Sequence, residues 1–352
     1  MKISVLGVGL MLALIGIQQA AALDSVRKTN NQRVSGTLKS VNATEAVVDV
    51  TGGKTEKVPV TEIDAIEYDG EPLELKNARS TLKAGKDKDA VAQLDKINVA
   101  SVTKPEIKAD IAFYRAYAQA RSALMGIGSV KDAGGLMYQF TVSFPTSYHF
   151  LPAQEMLGEL LVADNNIEAA LKAYAVLDAS PIEEYKMRAG TARGRALFSQ
   201  KKYPEAMVEY DKVLALPYNA STQKGTSAES QRFAAILGKT QCQANTGGYE
   251  EAIKELETNI IANISPEDTA LMALAYNTLG NCYNQKPNSQ KSALLAFLHV
   301  DMLYNSVPSA HAEALWNLAG LWTDTGKNER GQDATNRLNR LYPGSPWLAK
   351  RR

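Results

Sequence analysis

Between residues 34 and 68 apolar and polar positions alternate, and from residue 73 onward the apolar positions recur at three and four. Alternation is the period of a half-buried strand, and the longer spacing is that of an amphipathic helix. Val34, Gly36 and Leu38 alternate with Ser35, Thr37 and Lys39, and Ala46, Val48 and Val50 repeat the pattern. Thr51-Gly52-Gly53-Lys54 between such runs is a turn of hairpin type. Val58 and Val60 continue the series, with Pro59 pushing that strand to an edge, and Ile63, Ile66 and Tyr68 complete it. A small β module of four short strands is expected over residues 23–72, closed by Asp69-Gly70-Glu71-Pro72. It reads as a cap over the exposed end of the helical part, with a docking module as the alternative.

The helical part repeats itself. Gly158, Leu161, Ala170, Tyr174, Leu177 and Pro181 recur as Gly194, Leu197, Ala206, Tyr210, Val213 and Pro217, each pair 36 positions apart. Small residues at 158 and 194 let one helix approach the next, the tyrosines fill the space between units, and the prolines stop the second helix. Ala90, Ala133, Ala252 and Ala293 mark further units, and Trp316, Asn317 and Gly320 repeat Tyr276, Asn277 and Gly280. Small, aromatic, alanine and proline positions in this order resemble the tetratricopeptide (TPR) repeat, a helix–turn–helix unit that stacks into a solenoid. The expected fold class is therefore mainly α: a TPR-like α-solenoid of about seven units over residues 73–352. The β module before it would be an SH3- or Sm-like barrel or sheet. Phe144-Pro145-Thr146-Ser147 and Tyr342-Pro343-Gly344-Ser345 resemble the joints of exported bacterial envelope TPR proteins. Those include outer-membrane assembly lipoproteins and partners of the Tol–Pal system. The chain lacks the lipid-bearing cysteine of the former and begins with a β module where the latter would carry a coiled coil.

The first 22 residues change the picture of compartment. Met1-Lys2, an apolar stretch from Ile3 to Ile17 and the small residues Ala20-Ala21-Ala22 describe a secretory signal peptide, cleaved after Ala22. An apolar run of about 15 residues is shorter than the ~20 that span a bilayer. The expected protein is exported, periplasmic or secreted, soluble, and without a transmembrane anchor once cleaved. Charge adds little, since 39 Lys+Arg against 38 Asp+Glu leaves no basic footprint for nucleic acid.

Candidate chemistry is correspondingly sparse. Three histidines and two cysteines in 352 residues leave little material for metal or acid–base work. No phosphate-binding loop, nucleophile elbow or zinc-protease motif is present, so no enzyme, no metal and no cofactor are expected. TPR arrays hold extended peptides or helices along the surface made by the first helix of each unit. Carried over by the small residue of each unit, that surface would be lined by Glu155 and Glu159, then Arg188 and Arg195, then Arg232 and Lys239. Asn277, Asn281 and Asn284 come next, and then Asn317. The four cations would make a basic patch for a carboxylate-bearing peptide, and the asparagines would serve a peptide backbone. Cys242 and Cys282 fall on neighbouring first helices. A disulfide between them would need their Cα atoms within about 7 Å, and two buried free thiols is the preferred reading. The function expected is a non-catalytic scaffold for a protein partner. An enzyme or carbohydrate-binding site at the junction of the module and the solenoid, and self-association through the solenoid's open end, are the alternatives.

Overall fold

The computed structural model describes residues 23–50, 52–219 and 226–350. The expected signal peptide lies outside the described residues, as does part of the polar stretch from Pro217 to Ser230.

Five strands form one antiparallel sheet: β1 (Asp24–Lys28), β2 (Arg33–Val41), β3 (Glu45–Val50), β4 (Lys54–Pro59) and β5 (Ile63–Glu67), in the order β4-β3-β2-β1-β5. The Pro59 strand is an edge, where its missing N–H costs no ladder bond. Register shifts at Arg27/Lys28 and Leu38/Ser40 bend the sheet. Gly36 sits where a Cβ would come 2.1 Å from the Asp49 carbonyl oxygen, so β2 and β3 pair this closely only without a side chain there. The expectation of four strands missed β1, which lies between β2 and β5. In Asp-Ser-Val-Arg-Lys only Val26 is buried, so a single apolar residue carried the whole signal.

Helices come in pairs: α1 (Leu73–Lys83) with α2 (Asp87–Leu94), α3 (Pro105–Leu124) with α4 (Val130–Ser143), and α5 (Phe150–Ala163) with α6 (Ile167–Asp178). Next are α7 (Glu183–Ser199) with α8 (Tyr203–Ala215) and α9 (Ser227–Asn245) with α10 (Tyr249–Glu255). The last pairs are α11 (Thr269–Gln285) with α12 (Gln290–Leu303) and α13 (Pro308–Asp324) with α14 (Asn328–Leu341), before a short α15 (Pro346–Ala349). Each helix packs on its pair partner, and most first helices also pack on the first helix of the next unit. Ser129, Asn166 and Asp268 cap their helices by accepting a backbone N–H bond from within the first turn. Among the described residues, no helix is long and apolar enough to cross a membrane.

The small-residue logic holds at atomic distances. A Cβ on Gly158 would lie 2.2 Å from the Tyr174 ring, on Gly194 2.4 Å from Tyr210, and on Gly280 2.6 Å from Phe297. Each glycine thus seats the aromatic residue of its own second helix, and Ala170, Ala206 and Ala293 are fully buried beside them. Toward the far end, Asp301 is held by His311 Nε2 at 2.8 Å and by a two-pronged bond from Arg337. Burial pushes this carboxyl up, but those hydrogen bonds outweigh it and hold it down to about 2. His299 stacks on Tyr276 and His311 contacts the Tyr342 hydroxyl at 2.7 Å, so both histidines serve packing.

The sheet and the first helices share one core. Val26, Val34, Val48, Val58 and Ile66 pack with Leu75, Leu94, Ile107, Ile111 and Tyr148 as a continuous apolar cluster reaching Leu177 and Tyr185. Within this seam Arg79, 4% exposed, donates from Nη1 to Glu71 at 2.8 and 2.9 Å and from Nη2 to Asp110 at 2.6 Å. Burial would raise the Asp110 carboxyl, but the attraction of its partners His149 and Arg79 outweighs it and holds it below the usual range. His149 stacks on Phe113 at 3.8 Å, and burial pushes its imidazole pKa down against the pull of Asp110.

Candidate functional site: the inner groove

Four successive first helices, α7, α9, α11 and α13, border a cavity of about 530 Å³. Its wall carries Arg195 and Phe198 from α7, Gln241 and Asn245 from α9, and Leu274, Asn277, Asn281 and Gln285 from α11. Glu313 from α13 and Trp347 from α15 complete it. Spacings of three and four along each helix put these side chains on one face. Asn277 is only 2% exposed; its Nδ2 donates to the Ala310 carbonyl at 2.9 Å, while its Oδ1 has no partner among the described residues. Asn281 Nδ2 donates to Glu313 Oε1 at 2.9 Å. Burial pushes the Glu313 carboxyl up, with Asn281 and the charge of Lys350 pulling against it. The wall is therefore rich in acceptors and amides rather than in cations.

Of the expected groove residues, the structure brings Arg195, Asn277 and Asn281 together here. Glu155, Arg188 and Glu159 lie toward the preceding units. Arg188 donates to Glu155 at 2.8 Å, to Glu184 at 2.9 Å and to Ser227 at 3.1 Å, a rung joining α5, α7 and α9. Glu159 is partly buried, which raises its carboxyl against the pull of Arg195. Asn284 is exposed and does not line the cavity, and Asn317 Nδ2 turns back to the Glu313 carbonyl at 3.0 Å.

The four-cation patch does not form. Arg232 donates to the Leu214 carbonyl at 2.8 Å and lies over the Tyr218 ring, and Lys239 pairs with Asp211 at 2.6 Å. Both face α8. The cause is the helix register of this unit. Gly238 packs on Tyr210 of the preceding unit, where a Cβ would come 2.3 Å from the ring, rather than on an aromatic residue of its own second helix. The groove face of α9 runs through Ala234, Leu237, Gln241 and Asn245. That is two residues from the face carried over from Gly238, and two residues turn a helix by about 200°.

Cys242 and Cys282 are free thiols. Cys242 packs with Tyr210, Ala206 and Val213, while Cys282 packs with Leu256, Leu279 and Ala296. They occupy different clefts, and burial pushes each thiol up to about 12. A maleimide added to native protein is expected to leave both unmodified over minutes and to label both once urea unfolds the chain. Rapid labelling of either in the native state would contradict this packing.

At the junction of sheet and solenoid a smaller cavity of about 300 Å³ is lined by Arg79, Tyr114, Tyr148 and His149. Among the described residues its one carboxylate is Asp64, bound to Arg27 at 2.5 Å and also to Lys83. Convergent unpaired carboxylates, which a hydrolytic or sugar-binding site would require, are not what lines it. Residues that sequence reasoning missed are Glu313, Gln241, Asn245 and Trp347. Gln241 and Asn245 emerge once the face of α9 is set by the contact of Gly238 with Tyr210, but Trp347 sits beyond the last repeat and had no repeat position to mark it.

No family model and no curated protein matches this sequence. Among solved structures, a tetratricopeptide repeat protein from Parabacteroides merdae is 15% identical, with a TM-score of 0.55 over 76% of this chain and 91% of that one. Rap protein complexed with Competence and Sporulation Factor is 13% identical, with a TM-score of 0.47 over 78% of this chain and 76% of the other. At such identities the likeness is one of fold: the chain is a TPR-like α-solenoid preceded by a five-stranded antiparallel sheet.

Proposed function

We propose that this protein is a non-catalytic scaffold of the cell envelope that holds an extended segment of a partner protein in the inner groove, with the sheet capping the first repeat. The observation that carries the reading is the groove wall itself. A nearly buried amide with an unfilled acceptor, Asn277 Oδ1, stands beside Asn281, Gln241 and the exposed Leu274. Buried polar groups are ordinarily satisfied, so an unfilled one in a groove suits a peptide N–H. The amino-terminal segment of residues 1–22 supports export, and the shared core of sheet and first helices supports the capping role.

A photo-crosslinker placed at Leu274 is expected to capture one discrete partner segment from a native envelope extract, and one placed at Lys239 is not. Asn277→Leu should abolish the Leu274 product. Equal capture from both positions, or a Leu274 product indifferent to Asn277→Leu, would show that the groove is plain surface.

A further inference from the structure

The segment after α14 reaches back from the last unit to the second. Gly344 lies so close to the turn between α3 and α4 that a Cβ there would come 1.8 Å from the Met125 carbonyl oxygen. From the other side, a Cβ on Gly126 would come 2.9 Å from the Gly344 carbonyl oxygen. The last unit thus touches the second. Ser345 then caps α15, which turns Trp347 against Trp316 at 5.2 Å between ring centroids and into the wall of the groove. Leu348 packs in the core of the last unit. Lys350 places its ammonium 3.5 Å above the Trp347 ring, and its charge reaches the carboxyl of Glu313.

Four features of this groove point to a cationic guest. Glu313 offers a partly buried carboxylate, and Asn277 Oδ1 is an acceptor without a donor among the described residues. Trp347 offers an aromatic face of the kind that attracts ammonium and guanidinium groups. The fourth is that the chain's own lysine already occupies that face. Resting on the proposed groove function, we infer that Lys350 ends an internal strap and covers the Trp347 ring at the groove wall, and that a partner displaces this lysine by presenting a lysine or arginine of its own to Trp347 and Glu313. This reverses the charge expected from sequence, where four cations were to hold a carboxylate. Arg188, Arg232 and Lys239 are committed to partners within the chain, which among the described residues leaves Arg195 as the single cation on the groove wall against Glu313.

The test uses the full chain and a fluorescent peptide copying residues 346–350, Pro-Trp-Leu-Ala-Lys, beside a version ending in glutamate. Lys350→Ala, at an exposed position, uncovers the Trp347 ring and leaves the groove wall in place. A ring covered nine times in ten weakens apparent affinity about tenfold, so the lysine probe should bind the Lys350→Ala chain about tenfold tighter than the unaltered one. Lys350→Gln, which keeps a long side chain without the charge, should shift affinity in the same direction. Glu313→Gln added to the Lys350→Ala chain should cost the lysine probe about tenfold and leave the glutamate probe unchanged. Equal affinity for the two probes overturns the cationic subsite. Equal affinity of the unaltered and Lys350→Ala chains overturns the lysine cover, and no binding to any chain overturns both. Capture from Leu274 would survive all three of those failures, so the groove reading stands or falls separately.

Discussion

Asp110→Ala is expected to cost about 3–5 kcal/mol, because it leaves the Arg79 guanidinium charged in a site that excludes water. Arg79 would retain only Glu71, and the Tyr148 hydroxyl would lose its acceptor at 3.3 Å. The seam joins the sheet to the first helices through one core, so the loss should appear as a lowered urea midpoint for the strands and helices together. Its pH dependence has a definite sign. The folded carboxyl is depressed, so its contribution is fully present above about pH 4, the value of an unfolded carboxylate. It is lost as pH falls through the depressed folded pKa. The penalty of Asp110→Ala should therefore be full at pH 7 and shrink in strong acid. Replacing Arg79 and Asp110 by leucines and Glu71 by glutamine should restore much of the loss, since apolar packing commonly matches a buried ion pair. A midpoint unmoved by Asp110→Ala would mean that water reaches Arg79.

Tyr210→Ala should be comparably severe. The Tyr210 ring is clasped between Gly194 of its own unit and Gly238 of the next, and the residue is 1% exposed. Truncating a buried aromatic side chain costs about 3–5 kcal/mol, part of it the cavity left behind. Here that cavity would open between the fourth and fifth units, where a repeat protein transmits cooperativity from neighbour to neighbour. Urea unfolding of the variant should split into two transitions where the parent shows one. Gly194→Ala approaches the same contact from the other side and should cost about 1–3 kcal/mol by overpacking. Val208→Ala, at an exposed position on the same helix, should stay within about 0.5 kcal/mol. A Tyr210→Ala chain as stable as Val208→Ala would show that the units do not meet through this ring.

What could be read from sequence depended on whether a residue's role was local. The 36-residue echo gave the stacking of α5 to α8, because glycine, alanine and tyrosine recur wherever the same interhelical contact recurs. The edge position of the Pro59 strand was legible for a similar reason, proline having few places to go in a sheet. Charge placement was not legible. Arg188, Arg232 and Lys239 carry long side chains that reach whichever acceptor the fold brings near, and those acceptors lie 28 to 33 positions away for Glu155 and Asp211. Gly238 misled for a subtler reason. It is small because a neighbouring ring needs room, as at the other glycines, but the ring belongs to the preceding unit.

The contact of Gly344 with the turn after α3 also has a mechanical side. An open superhelix of repeats behaves as a spring, each unit's small rotation adding to the extension of the whole. Fastening the last unit to the second removes that degree of freedom, and the rotations of the units between must then sum to a fixed value. A pull on the chain would meet a stiff loop until the Gly344 contact parted, and a soft coil afterwards.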